Sequence, residues 1–317
     1  MTSSQSSTPQ LDLKDSPRSI VSSLIEMNGW KDYALLDMGN GKKLERYGRF
    51  TVVRPEQQAM GQPRLPEKQW QQADAVFTGD VEEEGAGRWR FAKQLPDTWK
   101  MKYGPVTFNG RFMSFRHVGV FPEQAAHWDW VSDIIKGSKR QLKVLNLFGY
   151  TGLASLLPAA NGAHVTHVDA SKKAIGWARE NQELSGMQDL PIRWICDDAM
   201  KFAQREVRRG NTYDGIILDP PKYGRGPKGE VWDFFESMPE MLQLMRQLLS
   251  PHARFMLMSS YAIRASYLAS HELMREHLAG LPGTIESGEL AIREHDSTRL
   301  LSTSLFSRWS APSGDTA

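Results

Sequence analysis

The chain is poor in cysteine: one residue, Cys196, in 317. That excludes an internal disulfide and any zinc cluster built on several thiolates, and a reducing cytoplasm is the expected compartment. Also missing is any apolar run near the roughly 18 residues that a membrane helix needs, so neither a membrane nor a metal is expected as a partner. No charge sign dominates. Lys and Arg number 39 against 37 Asp and Glu, a formal net charge of +2, too mild to identify a nucleic-acid binder and no bar to one. The opening MTSSQSSTPQLDLKDSP has no basic start followed by an apolar stretch, so it is not expected to be a secretory signal. With little to bury, residues 1–17 are expected to form a disordered tail, and 311–317 a second one. No internal repeat is visible.

What is there is ordinary for a globular protein: 40% hydrophobic and 24% charged residues. The length suits one large α/β domain plus a smaller appendage. Residues 18–120 read as a β-rich amino-terminal region that could bind substrate. Tyr33–Leu36 and Phe50–Val53 are strand-like, with the turn signal Gly39-Asn40-Gly41 between them. Gln57–Gln72 is polar and reads as a loop. Val81–Gly87, with three successive glutamates, reads as a solvated turn. Trp89–Tyr103 and Val106–His117 read as further strands.

From 121 to 310 the pattern becomes strand–helix–strand. Strands are expected at Leu142–Phe148, His164–Val168, Ile192–Cys196, Tyr213–Leu218 and Ala253–Met258. Helices are expected at Gly152–Ala160, Ser171–Leu184, Met200–Arg209, Val231–Leu249 and Ile263–Leu278. Gly288–Glu294 and Arg299–Trp309 read as a closing hairpin turning at His295-Asp296-Ser297. Such alternation implies an α/β fold with a doubly wound, mainly parallel sheet, and the hairpin adds an antiparallel edge.

The stretch Val144–Gly152 places Gly149 and Gly152 where a strand turns into a helix, a place where backbone can approach a ligand. Asn146, Phe148, Gly149, Thr151 and Gly152 are the candidate binding residues of that turn. Asp169 ends the next strand, 20 positions after Gly149, a spacing that puts a carboxylate on ribose hydroxyls in dinucleotide folds. Ala170 and Ser171 follow it. G-x-x-G alone is equally a structural turn. A phosphate-binding loop would usually carry G-x-G-x-x-G or a following Gly-Lys-Ser, and this turn has bulky Phe148 and Tyr150 instead and no lysine, so a ligand with ribose and adenine but no phosphates, such as S-adenosylmethionine, suits the site better. At the third strand end, Asp197, Asp198 and Ala199 are candidates for the adenine side, with Asp198 favoured to accept from its amino group. Helix capping by one of these aspartates is the alternative, and two carboxylates allow both.

The fourth strand runs into Asp219-Pro220-Pro221-Lys222. Two prolines impose a rigid, extended exit, remove two backbone donors and orient the neighbouring carbonyls. Asp219 would face the methyl donor, and Asp219 through Lys222 are the candidate catalytic residues. Together LNLFGYTG, VDASKKAI, CDDAMKF and DPPKYGRG resemble the class I S-adenosylmethionine-dependent methyltransferases. The nearest group is the bacterial 23S rRNA enzymes that make 5-methylcytosine or 7-methylguanine. The resemblance covers roughly residues 112–310. Leu35–Gln57 and Gly119–Trp130 look like a branch of that group. The resemblance implies a seven-stranded Rossmann-like methyltransferase sheet and S-adenosylmethionine as cofactor. It also implies Glu123 and Gln124 beside the methionine end, Asp169 on the ribose and Asp198 near adenine.

The chain departs from that group twice. Residues 18–120 do not read like the PUA domain that some relatives carry. Relatives that methylate carbon 5 of cytosine place a cysteine after the fifth strand, where this chain has Met256–Tyr261 with Ser259 and Ser260. Serine is a poor nucleophile without a base, and Cys196 belongs to the adenine end. A nitrogen acceptor, methylated by direct in-line displacement, is therefore expected. Arg88 to Tyr103 interleaves basic and aromatic residues in a way that suits phosphates and unpaired bases. Lys42, Lys43, Arg46 and Arg49 form a second basic group; Arg205, Arg208 and Arg209 form a third. An RNA substrate, ribosomal RNA in particular, is the expected partner. A protein or small-molecule acceptor, or a non-catalytic nucleotide-binding module, are the alternatives. His127, Trp128 and Trp130 are expected to pack rather than react.

Overall fold

The computed structural model describes residues 16–27, 29–79, 87–261, 263 and 265–312. Residues 1–15 of the expected amino-terminal tail, 313–317 of the second tail and the three glutamates Glu82–Glu84 lie outside the described residues. The amino-terminal part is strand-rich: β1 (Arg18–Met27), β2 (Tyr33–Gly39), β3 (Lys42–Tyr47), β4 (Phe50–Pro55), the short helix α1 (Glu67–Gln71), β5 (Ala75–Gly79), β6 (Gly87–Phe91), β7 (Thr98–Tyr103) and β8 (Val106–Arg111). A 3₁₀ turn at Pro122–Gln124 leads into α2 (Ala125–Lys136). Strand and helix then alternate as β9 (Lys143–Leu147), α3 (Leu153–Ala160), β10 (His164–Asp169), α4 (Lys172–Leu184), β11 (Ile192–Cys196), α5 (Ala199–Arg208) and β12 (Gly215–Leu218). The rest is β13 (Tyr223–Arg225), β14 (Val231–Asp233), α6 (Phe234–Leu248), β15 (Phe255–Tyr261), α7 (Tyr267–His277), β16 (Thr284–Arg293) and β17 (Leu300–Ser310).

The main sheet runs β1-β16-β17-β15-β12-β9-β10-β11. Strands β9, β10, β11, β12 and β15 are parallel. β17 lies antiparallel between β15 and β16, the expected closing hairpin. The seven strands implied by the resemblance are present, and β1 extends them to eight by pairing parallel with β16. Strand order reverses at β9, which has β10 on one side and β12 on the other. Ligands bind beyond the carboxyl ends of strands at such a switch point.

Several elements are shorter than their composition suggested, each for a local reason. The expected helix from Val231 starts at Phe234, because Val231–Asp233 pairs with Tyr223–Arg225 and Asp233 caps the helix through Phe235 N and Glu236 N. The expected helix from Ile263 starts at Tyr267 with Ser266 as its cap. Trp89–Tyr103 is two strands in different sheets, interrupted around Pro96, which cannot donate to a ladder. The strand from Val106 stops at Arg111.

A five-stranded sheet, β2-β3-β4-β5-β6, and the β7–β8 hairpin pack against the main sheet. They share one core with it: Tyr33, Tyr47, Trp99 and Phe108 belong to the same buried cluster as Trp128, Leu156, Ile292 and Leu301. Inside this sheet lies a buried polar network. Arg54 donates through Nε to Glu45 Oε2 at 2.7 Å and through Nη2 to Oε1 at 2.8 Å. Tyr33 and Tyr47 donate to the same carboxylate at 2.9 and 3.0 Å, and Lys43 pairs with Glu56 at 3.1 Å. Burial alone would raise the Glu45 pKa, but Arg54 and Lys43 outweigh it and hold the carboxyl at about 2.

Candidate functional site

The strand-to-helix turn after β9 is unusual backbone. Phe148 and Tyr150 both have positive φ, 60° and 49°, a conformation that bulky residues adopt only where their surroundings over-determine it. Phe148 is held by the Trp232 ring, 4.8 Å between centroids. The Tyr150 backbone N donates to Asp169 Oδ2 at 2.9 Å. Gly152 (φ 88°) closes the turn as the residue before α3. Gly149 is needed for another reason: a Cβ there would lie 2.3 Å from the buried His167 ring. Gly149→Ala should therefore destabilise by about 1–3 kcal/mol, the usual range for overpacking. A thermal melt within 1 °C of the parent would refute this packing argument.

Beyond the turn lies a cleft of about 650 Å³, within the range of small-molecule sites. It is lined by Gln124, Phe148, Asp169, Ala170, Ser171, Asp198, Ala199 and Asp219 through Lys222. A small cavity of about 50 Å³ adjoins it, sharing Gln124, Phe148 and Asp219 and adding Asn146, Gly149 and Thr151. Glu123, Gly152 and Asp197 line neither.

At the end over β10 and β11, Asp169 Oδ1 accepts from Ser171 N at 2.8 Å while Oδ2 takes Tyr150 N. Each carboxylate oxygen keeps a second lone pair for a hydroxyl. Burial raises the Asp169 pKa against the lowering effect of these two donors. Asp198 caps α5 by accepting Lys201 N at 2.9 Å through Oδ1, and still lines the cleft. Asp197 accepts Asp198 N at 2.9 Å and pairs with Arg205. Capping and the cleft therefore both fall to Asp198, and Asp197 holds Arg205 instead.

At the other end, Asp219 leaves β12 on the cleft floor. Gln124 Nε2 donates to its Oδ1 at 3.4 Å, and Ser259 Oγ donates to Gln124 Oε1 at 3.3 Å. Desolvation and the neighbouring Glu123 carboxylate push the Asp219 pKa up to about 7, against a lowering hydrogen bond from Ser259. Glu123 is buried and accepts Ser304 Oγ at 3.2 Å; burial raises its pKa too. Asn146 donates to Ser155 Oγ at 2.8 Å, and its Oδ1 is buried without a hydrogen-bond partner among the described residues. Thr151 donates to Gly119 O at 2.8 Å. The Pro221 carbonyl accepts Trp232 Nε1 at 2.8 Å, which ties the β13–β14 hairpin to the rigid exit. Pro221 and Lys222 are exposed and Pro220 is buried.

Other cleft residues were not among the sequence candidates, although Phe121 opens the Phe-Pro-Glu-Gln stretch that the resemblance covers. His117 and Phe121 line the cleft from the stretch after β8 and Tyr261 from the end of β15, with Met113, Ser114 and Phe115. Trp89 holds that last loop by donating to Met113 O at 2.9 Å and Phe115 O at 3.2 Å. The basic groups divide. Arg88, Arg90, Lys100, Lys102, Lys42 and Arg49 are exposed, whereas Lys43 is buried against Glu56. Arg205 and Arg209 are engaged by Asp197 and Glu206. His127 is fully buried and edges onto Phe306. Cys196 ends β11, beside Ala170 O. Among the described residues no helix is long and apolar enough to cross a membrane, and no group of three or more His, Cys, Asp and Glu could hold a metal ion.

A family model described as S-adenosylmethionine-dependent methyltransferase matches residues 69–276. A crystal structure of the SAM-dependent methyltransferase from Agrobacterium tumefaciens aligns with a TM-score of 0.91 at 56% identity, covering 94% of this chain and 96% of that one. Among curated proteins, ribosomal RNA large subunit methyltransferase K/L of Shewanella frigidimarina is 33% identical over 153 residues, which is 48% of this chain and 20% of that protein. Ribosomal RNA large subunit methyltransferase I of Aeromonas salmonicida is 34% identical over 110 residues, 34% of this chain and 28% of that protein. The matches therefore span less than a third of either curated relative.

Proposed function

Because the chain belongs to the S-adenosylmethionine-dependent methyltransferase family, we propose that it methylates RNA, ribosomal RNA in particular, in the cytoplasm, by direct transfer to a nitrogen without a cysteine nucleophile. The cofactor supplies a methyl group on a sulfonium sulfur. The residues present fit it. Asp169 and Asp198 line the cleft and would take ribose and adenine, and among the described residues the small cavity at the glycine turn is lined by no lysine or arginine that would ask for phosphates. The small cavity offers the unpartnered Asn146 Oδ1 to an ammonium group.

Asp219 is assigned to the acceptor. An exocyclic amino group or ring N–H that gains a methyl group from the sulfonium must release a proton, and a carboxyl group titrating near 7 is matched to take it. Gln124 holds that carboxylate from the side. The observation that carries the reaction is where the thiol lies. The sole cysteine ends β11, three strands from β12 in the sheet, about 14 Å away at ~4.8 Å per strand. Ser260, near the carboxyl end of β15, is buried with no hydrogen-bond partner among the described residues to act as its base. Similarity to two large-subunit rRNA methyltransferases supports the choice of acceptor.

The test uses methyl-labelled cofactor and extract from cells lacking the gene. Label is expected in material that ribonuclease destroys and protease spares. Nucleoside mass spectrometry should then find a methyl group on nitrogen. Protease-sensitive label would reject RNA as the acceptor, and 5-methylcytosine made only when Ser260 is intact would reject the mechanism.

A further inference from the structure

We infer that His117, Phe121 and Tyr261 form a stacking wall that receives the acceptor as a planar, uncharged heterocycle, a nucleobase turned out of its own stack, against Asp219. This deepens the RNA reading and rests on it. The sheet order fixes which end of the cleft is which. Asp169 and Asp198 stand beyond β10 and β11. Asp219 follows β12, and Tyr261 ends β15, on the far side of β12 from those carboxylates. With the adenosine portion of the cofactor over β10 and β11, and transfer at β12, the cleft volume beside β15 is left for the acceptor.

That volume is walled by three rings. The centroids of His117 and Phe121 lie 4.6 Å apart, those of Phe121 and Tyr261 5.6 Å, and those of His117 and Tyr261 6.0 Å. Their planes are inclined by 49°, 56° and 76°, so His117 meets Tyr261 edge to face and Phe121 packs tilted against both. The amino-terminal sheet holds the wall in place. Arg116 Nη2 donates to the Tyr261 hydroxyl at 3.0 Å and Nη1 to Pro55 O at 3.3 Å, while Arg54 Nη1 donates to Arg116 O at 3.1 Å. A preorganised aromatic surface gives affinity for a flat ring at little ordering cost.

Charge narrows the acceptor class. Burial, then the positive charges of Arg54, Arg116 and Lys43, keep the His117 ring well below its ordinary pKa and therefore neutral. A protonated lysine side chain entering beside it would meet the same positive field and would have to lose a proton before it could accept a methyl group. A base nitrogen or exocyclic amino group is already neutral. Bases can be swung out of an RNA strand into such a slot.

The experiment compares wild-type protein with Tyr261→Ala, Tyr261→Phe and His117→Ala. Ribosomal RNA from cells lacking the gene is the acceptor, and total protein from the same cells is the control. Tyr261→Ala should lower kcat/KM for RNA by about 10- to 100-fold, the loss expected when a base-stacking partner is truncated. Tyr261→Phe, which keeps the ring, should recover at least about a third of the parent value. The Kd for S-adenosylhomocysteine, measured by calorimetry, should stay within about twofold in each variant. If Tyr261→Ala shows no thermal transition, His117→Ala read in the same way decides. RNA methylated by both alanine variants at the parent rate, below saturation, would overturn the wall and leave the RNA reading standing. Loss of S-adenosylhomocysteine binding in step with rate would place these rings at the cofactor instead. Label in protein and none in RNA with the wild-type enzyme would remove the RNA reading, and the nucleobase wall with it.

Discussion

Asp219→Asn is expected to lower kcat by about 10²- to 10⁴-fold, the span usual for a positioned proton acceptor, while S-adenosylhomocysteine still binds. The same carboxylate sets the pH profile. Its pKa is raised to about 7 by burial and by Glu123, so the wild-type rate should fall about tenfold per pH unit below that value and level off above it. Stability should move the other way. A carboxyl group whose folded pKa lies above its ordinary value of 3.8 opposes folding once it ionises. The penalty is absent below about 4 and fully present above about 7. At pH 8 the asparagine variant should therefore be more stable than its parent, with about 4 kcal/mol as the ceiling. At pH 3.5 the two should match. Urea melts at both pH values and single-turnover rates from pH 5 to 9 check all of this. A variant that keeps full activity would remove Asp219 from the reaction.

Glu45→Gln should be the most damaging single change to the fold, costing about 3–5 kcal/mol. Two hydrogen bonds from Arg54 and one from each of two tyrosines converge on this fully buried carboxylate. Removing its charge leaves the Arg54 guanidinium, 4% exposed, without its counter-charge in the interior. The wild-type protein should lose the same stabilisation as pH falls from about 4.5 through about 2, because the folded pKa is depressed and the proton is taken up only on acidification. The variant should lack that component of the acid transition. Because Arg54 also supports Arg116 and through it Tyr261, RNA methylation should weaken alongside stability. A variant within 1 kcal/mol of its parent by urea denaturation would show that the network does not anchor the amino-terminal sheet.

Much of the site could be read from the chain because its chemistry is local. A strand, a turn with glycine, and a carboxylate 20 residues on lie within one strand–helix–strand unit, so spacing alone brings them together. Asp-Pro-Pro is likewise a property of three adjacent residues. Even here, contacts altered the reasons. Gly149 leaves room for the His167 ring as well as lining the small cavity, and Asp198 serves as helix cap as well as cleft wall. Lys43 reads as one of a basic group, but the alternation of β3 turns it inward to Glu56.

The acceptor end was not legible. His117 and Phe121 share the loop after β8, but Tyr261 comes from the end of β15, and no spacing rule joins the two. β1 likewise pairs with β16 from the opposite end of the sequence. By itself the sequence determined the parallel sheet, the glycine turn between β9 and α3 and the absence of a thiol near Asp219, because periodicity, turn chemistry and composition are written within short windows. Only the tertiary structure decided which side chains share the cleft and how the amino-terminal sheet braces it. Those depend on long-range packing and on the desolvation and fields it creates at Asp219 and His117.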